Sequence, residues 1–388
     1  MNTTNSIKTD ELLFPTYKKW NIAFEQASGS TITDQTGKTY IDMMAGIGVV
    51  NLGHGHPAVL EAVEKQLQKG WHASNFFHYE GQEQTAKQLT SHSCADLVFF
   101  ANSGAEANEA AIKLARKHTG KKKIISFLQS FHGRTFGTMA ATGQESIHQG
   151  FGPMLEGFEY VPYNDVKALE NAIDDETAAV MLEPVQGEGG VIPADDSFLQ
   201  AAETLAENAG ALLICDEIQT GLGRTGAFFA HQLSGIEPDI ITTAKALGNG
   251  FPTGAVIGKA HLKDAFGPGS HGTTFGGNPL AMAAASATLD TLINENWSQK
   301  AKDKGEALLK ELQERLASAE VVKEVRGKGM MVGIELNEPA ANTIGKLQEK
   351  GVLVLAAGPN VLRLLPPLTI DWEMLKEATA LIEETLKR

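Results

Sequence analysis

Cysteine is almost absent: Cys94 and Cys215 are the only two in 388 residues. That excludes a disulfide-stapled framework and fits a reducing compartment. Cys215 falls inside the apolar run ALLIC, where a buried, inert thiol is expected. Positive charge is in deficit, with 33 Lys and Arg against 47 Asp and Glu and a formal net charge of -14. This is the wrong sign for holding a nucleic-acid backbone. No apolar run reaches the roughly 20 residues of a membrane-spanning helix. The opening MNTTNSIKTDELLF has neither the basic start nor the apolar stretch of a secretory signal, so a cytoplasmic protein is expected. Repeats, low-complexity linkers and blocks of like charge are missing too.

What is present describes a soluble globular chain, 42% hydrophobic and 21% charged. At roughly 150 residues per domain its length suggests two or three compact units. Residues 30–44, STITDQTGKTYIDMM, alternate β-formers around a Gln-Thr-Gly turn and predict a hairpin. Between about residues 95 and 260, seven short apolar runs (LVFF, KKIISFL, FEYVPY, AAVMLEPV, ALLICDEI, DIITTAK and GAVIG) alternate with helical patterns. This predicts an α/β fold: a mostly parallel central sheet covered by helices on both faces. Past Asn278 the chain turns to a small-residue helix, then to a charged helix with Leu308, Leu309, Leu312 and Leu316 on one stripe. Two more strand patterns and a terminal helix complete the expected order. The division expected is a large domain over 51–290 and a smaller α+β domain over 291–388, which the N-terminal segment 1–50 joins.

Three strand ends carry candidate chemistry. LVFFAN runs into SGAEANEAAIKLARK, which places Ser103, Gly104 and Ala105 at the start of a helix. Unpaired backbone N–H groups and the helix dipole favour an anion there, and a phosphate suits the position; a plain Ser cap with a packing glycine is the other reading. Asp216 ends the apolar strand ALLICDEI, with Gln219 three residues on, where ligands of open α/β sheets gather. It is placed to hold a protonated ring nitrogen or, more plainly, to close a strand at the surface. Lys245, ending DIITTAK among small residues, is set for a desolvated amine able to form a Schiff base; a solvated lysine is the alternative. An anion site, a ring-nitrogen carboxylate and an imine-forming lysine together meet the requirements of pyridoxal 5'-phosphate. No strand is followed by GxGxxG opening a helix, which argues against a dinucleotide site.

The segments LGHGHP, NSGAEANEA, FHGRT, EPVQGEGGV, DEIQTGLGRTG, AKALGNGFP and HGTTFGGNP stand in an order and spacing that resembles the class III (subgroup II) pyridoxal-phosphate aminotransferases of fold type I. Within them the chain is most similar to the acetylornithine group. The resemblance implies that Lys245 is the Schiff-base lysine, that Asp216 pairs with the pyridine nitrogen and that Gln219 meets the ring hydroxyl. Glu217 and Ile218 fall with them in the cofactor pocket, beside Ser103, Gly104 and Ala105. It further implies that Phe131 stacks on the cofactor ring and that Arg134 clamps a substrate carboxylate. The same comparison brings Thr273 near the substrate and lends Thr274 to the cofactor phosphate of a second subunit in an obligate homodimer. Glu188 and Arg363 resemble a switch pair, in which the glutamate masks the arginine for the amino donor and frees it for 2-oxoglutarate; a fixed ion pair is the other reading of these two. Glu183 is expected to be structural.

Two departures bear on this likeness. Ala105 stands where many relatives carry Thr, which removes a hydroxyl but leaves the backbone N–H. Ile47 stands where ornithine aminotransferases carry Tyr, which favours an acylated substrate. The resemblance therefore implies transfer of the δ-amino group of N2-acetyl-L-ornithine to 2-oxoglutarate in arginine biosynthesis. Succinylornithine, ornithine or 4-aminobutyrate as donor, or a silent cofactor-binding regulator, are the rivals. No metal is expected: His54 and His56 lie in a glycine-rich turn without a carboxylate or cysteine set.

Overall fold

Successive residues of the strand Leu212–Asp216 face alternate apolar layers: Leu212 and Ile214 join one core cluster, Leu213 and Cys215 another. The neighbouring strand Thr177–Leu182 divides in the same way, with Ala179 and Met181 on one face and Val180 and Leu182 on the other. A strand with helices on both sides needs apolar residues at every position, because period-two alternation sends each side chain into one core or the other. The helix Gly104–Thr119 covers the first face through Ala107, Ala111 and Leu114. The helix Asp196–Asn208 covers the second through Phe198, Leu199 and Ala202.

The computed structural model describes residues 12–387. All seven apolar runs form one sheet, in the order Leu97–Ala101, Gly254–Gly258, Ile240–Thr243, Leu212–Asp216, Thr177–Leu182, Lys123–Phe127, Phe158–Val161. Gly254–Gly258 runs antiparallel to both neighbours, and the remaining pairs are parallel. The α/β architecture with a largely parallel sheet is therefore as expected.

The hairpin Thr31–Asp34 and Thr39–Asp42 forms around a turn closed by Asp34 Oδ1, which accepts from Thr36 N at 2.8 Å and Lys38 N at 3.1 Å. Its second strand pairs in parallel with Val352–Leu353, so the beginning and end of the chain share a four-stranded sheet. His54, at the foot of this sheet, places Nε2 2.7 Å from Asp42 Oδ2.

Two features differ from the sequence-based expectation. Helix Pro279–Asn294 continues through residue 290, and the chain turns only at Asn296, whose φ of 53° ends the run before helix Trp297–Leu316. Five strands, not two, follow: Val322–Lys328, Met331–Leu336, Val352–Leu353, Leu355–Ala357 and Val361–Leu364. The last three are too short to display a period and are defined by their pairing. Leu308, Leu312 and Leu316 are buried as one stripe, and Leu309 sits at its margin.

Gly305, within that helix, approaches the turn at Gly329 so closely that a Cβ would meet the Gly329 carbonyl carbon at 2.2 Å. Backbone on both sides leaves no flexible atom to move. Gly305→Ala is expected to cost about 1–3 kcal/mol of stability, seen as a lower urea midpoint; an unchanged midpoint would show that helix and turn are not in contact.

Candidate active site

Asp216 closes its strand at 3% exposure, and its carboxylate is fully engaged. Oδ2 accepts from Asn108 Nδ2 at 2.7 Å and lies 2.7 Å from His132 Nδ1, while Oδ1 accepts from Ile218 N at 3.1 Å. Burial favours neutral His132, but the hydrogen bond and charge of Asp216, with Glu183 beyond it, raise its pKa above the ordinary value. His132 Nε2 and Asn108 Oδ1 have no partner among the described residues.

Helix Gly104–Thr119 begins where strand Leu97–Ala101 ends, and Ser103 Oγ caps it by accepting from Glu106 N at 3.2 Å. The amides of Gly104 and Ala105 are thereby left at the unpaired start of the helix, on the wall of the same cavity. Glycine at 104 lets the Ile218 side chain pack close: a Cβ there would come within 2.8 Å of Ile218 Cδ1, and that side chain would have to shift.

Lys245 follows strand Ile240–Thr243 with φ at 42°, a conformation that a residue with a Cβ holds only when its surroundings impose it. Its ammonium has no hydrogen-bond partner among the described residues. Burial lowers its pKa most strongly, Glu188 opposes and Arg363 reinforces, and the net direction is down. Glu188 and Arg363 form a bidentate pair, NH1 to Oε1 at 2.5 Å and NH2 to Oε2 at 3.1 Å. Arg363 NH1 also donates to Gln219 Oε1 at 3.1 Å. Burial raises the Glu188 carboxyl, but Arg363 more than compensates and holds it below the ordinary value.

One cavity of about 470 Å³ is lined by Ser103, Gly104, Ala105, Phe131, Arg134, Glu188, Asp216, Ile218, Gln219 and Lys245. Arg134 is exposed at its mouth, with Cζ 5.7 Å from the centroid of the Phe131 ring and no carboxylate partner among the described residues. Arg363 reaches this wall only through Glu188 and Gln219.

Three expected residues lie elsewhere. Glu217, counted with the cofactor pocket from its place in DEIQ, turns away: its Oε1 accepts from His231 N at 2.8 Å and lies 3.0 Å from His231 Nδ1. The flanking Asp216 and Ile218 face the cavity, whereas Glu217, the first residue past the strand end, points to His231 on the other side. Thr273 and Thr274 line adjoining clefts, and Asn102 links them to the cavity through Nδ2, which donates to Thr273 Oγ1 at 3.0 Å.

Asn108 and His132 were not singled out by sequence reasoning. Both lie inside quoted motifs, Asn108 one turn beyond Ser103 to Ala105 and His132 beside Phe131, but nothing local shows that they meet Asp216. Glu183 was expected to be structural. It accepts from Phe131 N at 3.0 Å and Gly187 N at 3.3 Å, and it also lines the cavity. Burial pushes its carboxyl up to about 7, against the lowering effect of His132.

The arrangement is that of a fold type I aminotransferase. The profile of the aminotransferase class-III family matches residues 15–386, and the chain belongs to that family. Among curated relatives, the acetylornithine aminotransferase of Bacillus subtilis is 58% identical over 376 residues, covering 96% of this chain and 97% of that one. The acetylornithine aminotransferase of Listeria innocua is 50% identical, covering 97% and 98%. Among solved structures, the ornithine aminotransferase of Toxoplasma gondii superposes with a TM-score of 0.93 at 33% identity, over 97% of this chain and 92% of that one.

Class III aminotransferases use pyridoxal 5'-phosphate, and the cavity suits that group. Free helix-start amides match a phosphate, a partnerless amine matches an aldehyde, and a donor-locked carboxylate matches a protonated ring nitrogen. The Thr253 hydroxyl on the cavity wall is buried without a partner among the described residues, a further unsatisfied polar atom on this surface.

The raised Glu183 carboxyl makes stability depend on pH. Between the ordinary 4.5 and about 7 the folded protein keeps a proton there that the unfolded chain releases, so stability falls as pH rises through this window. His132, also raised, adds to the fall above its ordinary 6.5. The urea midpoint of the cofactor-free protein is expected to drop from about pH 5 to about pH 7.5, and Glu183→Gln should flatten that slope. Equal slopes in parent and variant would remove Glu183 as the cause.

Proposed function

We propose that the chain is an acetylornithine aminotransferase. It moves the δ-amino group of N2-acetyl-L-ornithine to 2-oxoglutarate, giving N-acetyl-L-glutamate 5-semialdehyde and L-glutamate, a step of arginine biosynthesis in the cytoplasm. The observation that carries this reading is the convergence on one cavity of a partnerless lysine, a donor-locked aspartate, an open helix start and the glutamate that masks Arg363. The curated relatives above, matched over nearly their full length, support the choice of substrate.

Bound pyridoxal phosphate supplies an electron sink for the carbon that carries the transferred amine. Lys245, its amine made less basic by burial, would hold the cofactor at its aldehyde carbon and would serve as the base for the proton at the substrate's amine-bearing carbon. Asp216, held by three donors, would keep a proton on the ring nitrogen. Gly104 and Ala105, with the Ser103 cap beside them, would hold the phosphate through their N–H groups, and Gln219, Ile218 and Phe131 would hold the ring. Arg134, whose planar fork fits a carboxylate, takes that of acetylornithine. Glu188 neutralises Arg363 while the amine donor is present and releases it to a carboxylate of 2-oxoglutarate, so that one pocket serves two differently charged substrates.

A homodimer with shared active sites completes the reading. The Thr273 and Thr274 loop carries Phe275 at 58% exposure, and Phe76 nearby is 96% exposed. Both are large apolar side chains of the kind that a second subunit covers. Thr274 then reaches the neighbouring phosphate and Thr273 the substrate.

Lys245→Ala is expected to lower turnover by about 10,000-fold while leaving the urea midpoint close to that of the parent. Borohydride with pyridoxal phosphate should label Lys245 in the parent and nothing in the variant; labelling at another lysine would overturn its role. With 2-oxoglutarate as acceptor, kcat/KM for acetylornithine should exceed that for ornithine, succinylornithine and 4-aminobutyrate by about tenfold or more. A higher value for any of these three would reassign the substrate.

A further inference from the structure

Away from the cavity, Cys94 lies in the loop between helix Glu80–Ser91 and strand Leu97–Ala101, half-buried, whereas Cys215 is fully buried. Cys94 Sγ is 3.8 Å from His231 Nε2 and 3.5 Å from the carbonyl oxygen of Pro238. The other ring nitrogen, His231 Nδ1, is 3.0 Å from Glu217 Oε1. That carboxylate is itself held by the Thr220 hydroxyl at 2.5 Å and by His231 N at 2.8 Å. The Phe229 ring stacks on the imidazole with centroids 5.7 Å apart, which fixes its plane.

A sulfur within reach of an imidazole, whose far nitrogen is oriented by a buried carboxylate, is the pattern of an activated nucleophile. None of these three residues lines the aminotransferase cavity, and none has a task in the proposed reaction. The geometry points to Cys94 as a modification site for low-molecular-weight disulfides, with the His231 imidazolium, oriented by Glu217, set beside the sulfur. In the exchange the Cys94 thiolate attacks one sulfur of the disulfide. A new S–S bond forms as the old one breaks, and the departing thiolate takes up the proton held at His231 Nε2. One disulfide replaces another, so no further oxidant is required.

The surroundings agree. Burial alone favours neutral His231, yet Cys94 and Glu217 together bring its pKa up to about 9. The other titratable groups at this corner are the Cys215 thiol, itself raised chiefly by burial, with Glu203 and Asp216 in its field. The His92 ring, two residues before Cys94, packs on Phe228 at 5.1 Å.

The test is incubation of the purified holoenzyme with glutathione disulfide between about pH 6 and pH 8, with the adduct located and timed by mass spectrometry. An unassisted thiol, with pKa about 8.5, speeds up about tenfold per pH unit in this range. The expected result is a glutathione adduct on Cys94 and none on Cys215, with a nearly flat rate profile and a rate at pH 6 about tenfold or more above that of a cysteine peptide. His231→Gln should restore the steep profile, and Cys94→Ser should abolish the adduct. Absence of an adduct, a steep profile in the parent, or a flat profile that persists in His231→Gln would each overturn the assignment. The parent profile decides the matter alone if His231→Gln does not fold.

Discussion

A single buried carboxylate organises the molecule around its cavity. Asp216 brings a negative charge to the end of the central sheet, where it is almost fully buried. An unpaired charge in such a place costs several kcal/mol, and each charge-assisted hydrogen bond returns about 1.5–3 kcal/mol. Asn108 on the helix after the first strand, His132 in the loop before residue 135 and the Ile218 amide supply those bonds. Asn108 Nδ2 also donates to the His132 carbonyl oxygen at 2.8 Å, so helix and loop are tied to each other as well as to the aspartate. The positions of the helix start and of Phe131 both follow from satisfying this one group.

The second constraint is electrostatic balance. Lys245 and Arg363 are faced by Glu188, Asp216 and Glu183, and each pKa shift in the cavity is a response to burial corrected by these neighbours. The balance is incomplete by design of the cavity. His132 Nε2 and the Thr253 hydroxyl, both in residues that line the cavity, are buried without partners among the described residues, and Lys245 holds a left-handed backbone conformation. Unsatisfied polar atoms and local strain gathered on one wall mark a surface that a ligand completes. Glu188 follows the parallel-sheet strand Thr177–Leu182, while Arg363 belongs to the antiparallel C-terminal sheet. Their pairing therefore joins the two halves of the structure at the site.

Much of this was legible in the chain. Seven apolar runs became seven strands because a sheet covered on both faces requires continuous hydrophobicity, and continuous runs bounded by glycine are visible without coordinates. Lys245 and Asp216 stood out because they end such runs. The C-terminal strands of two to four residues did not stand out, since no period fits in so short a span. Glu217 was grouped with its neighbours by sequence adjacency, whereas adjacent residues at a strand end face opposite ways.

The amino-acid sequence by itself determined the α/β order, the helix that opens behind Ser103 and the polar residues at the strand ends. These follow from local periodicity and capping, which act over a few residues. Only the tertiary structure decided that His132 and Asn108, 84 and 108 positions from Asp216, become its partners. It also decided that Glu217 serves His231 and that Arg363 is masked by Glu188. Such contacts depend on which surfaces are brought together when the sheet and its covering helices pack, and burial then makes each polar group find a partner from whatever segment lies opposite.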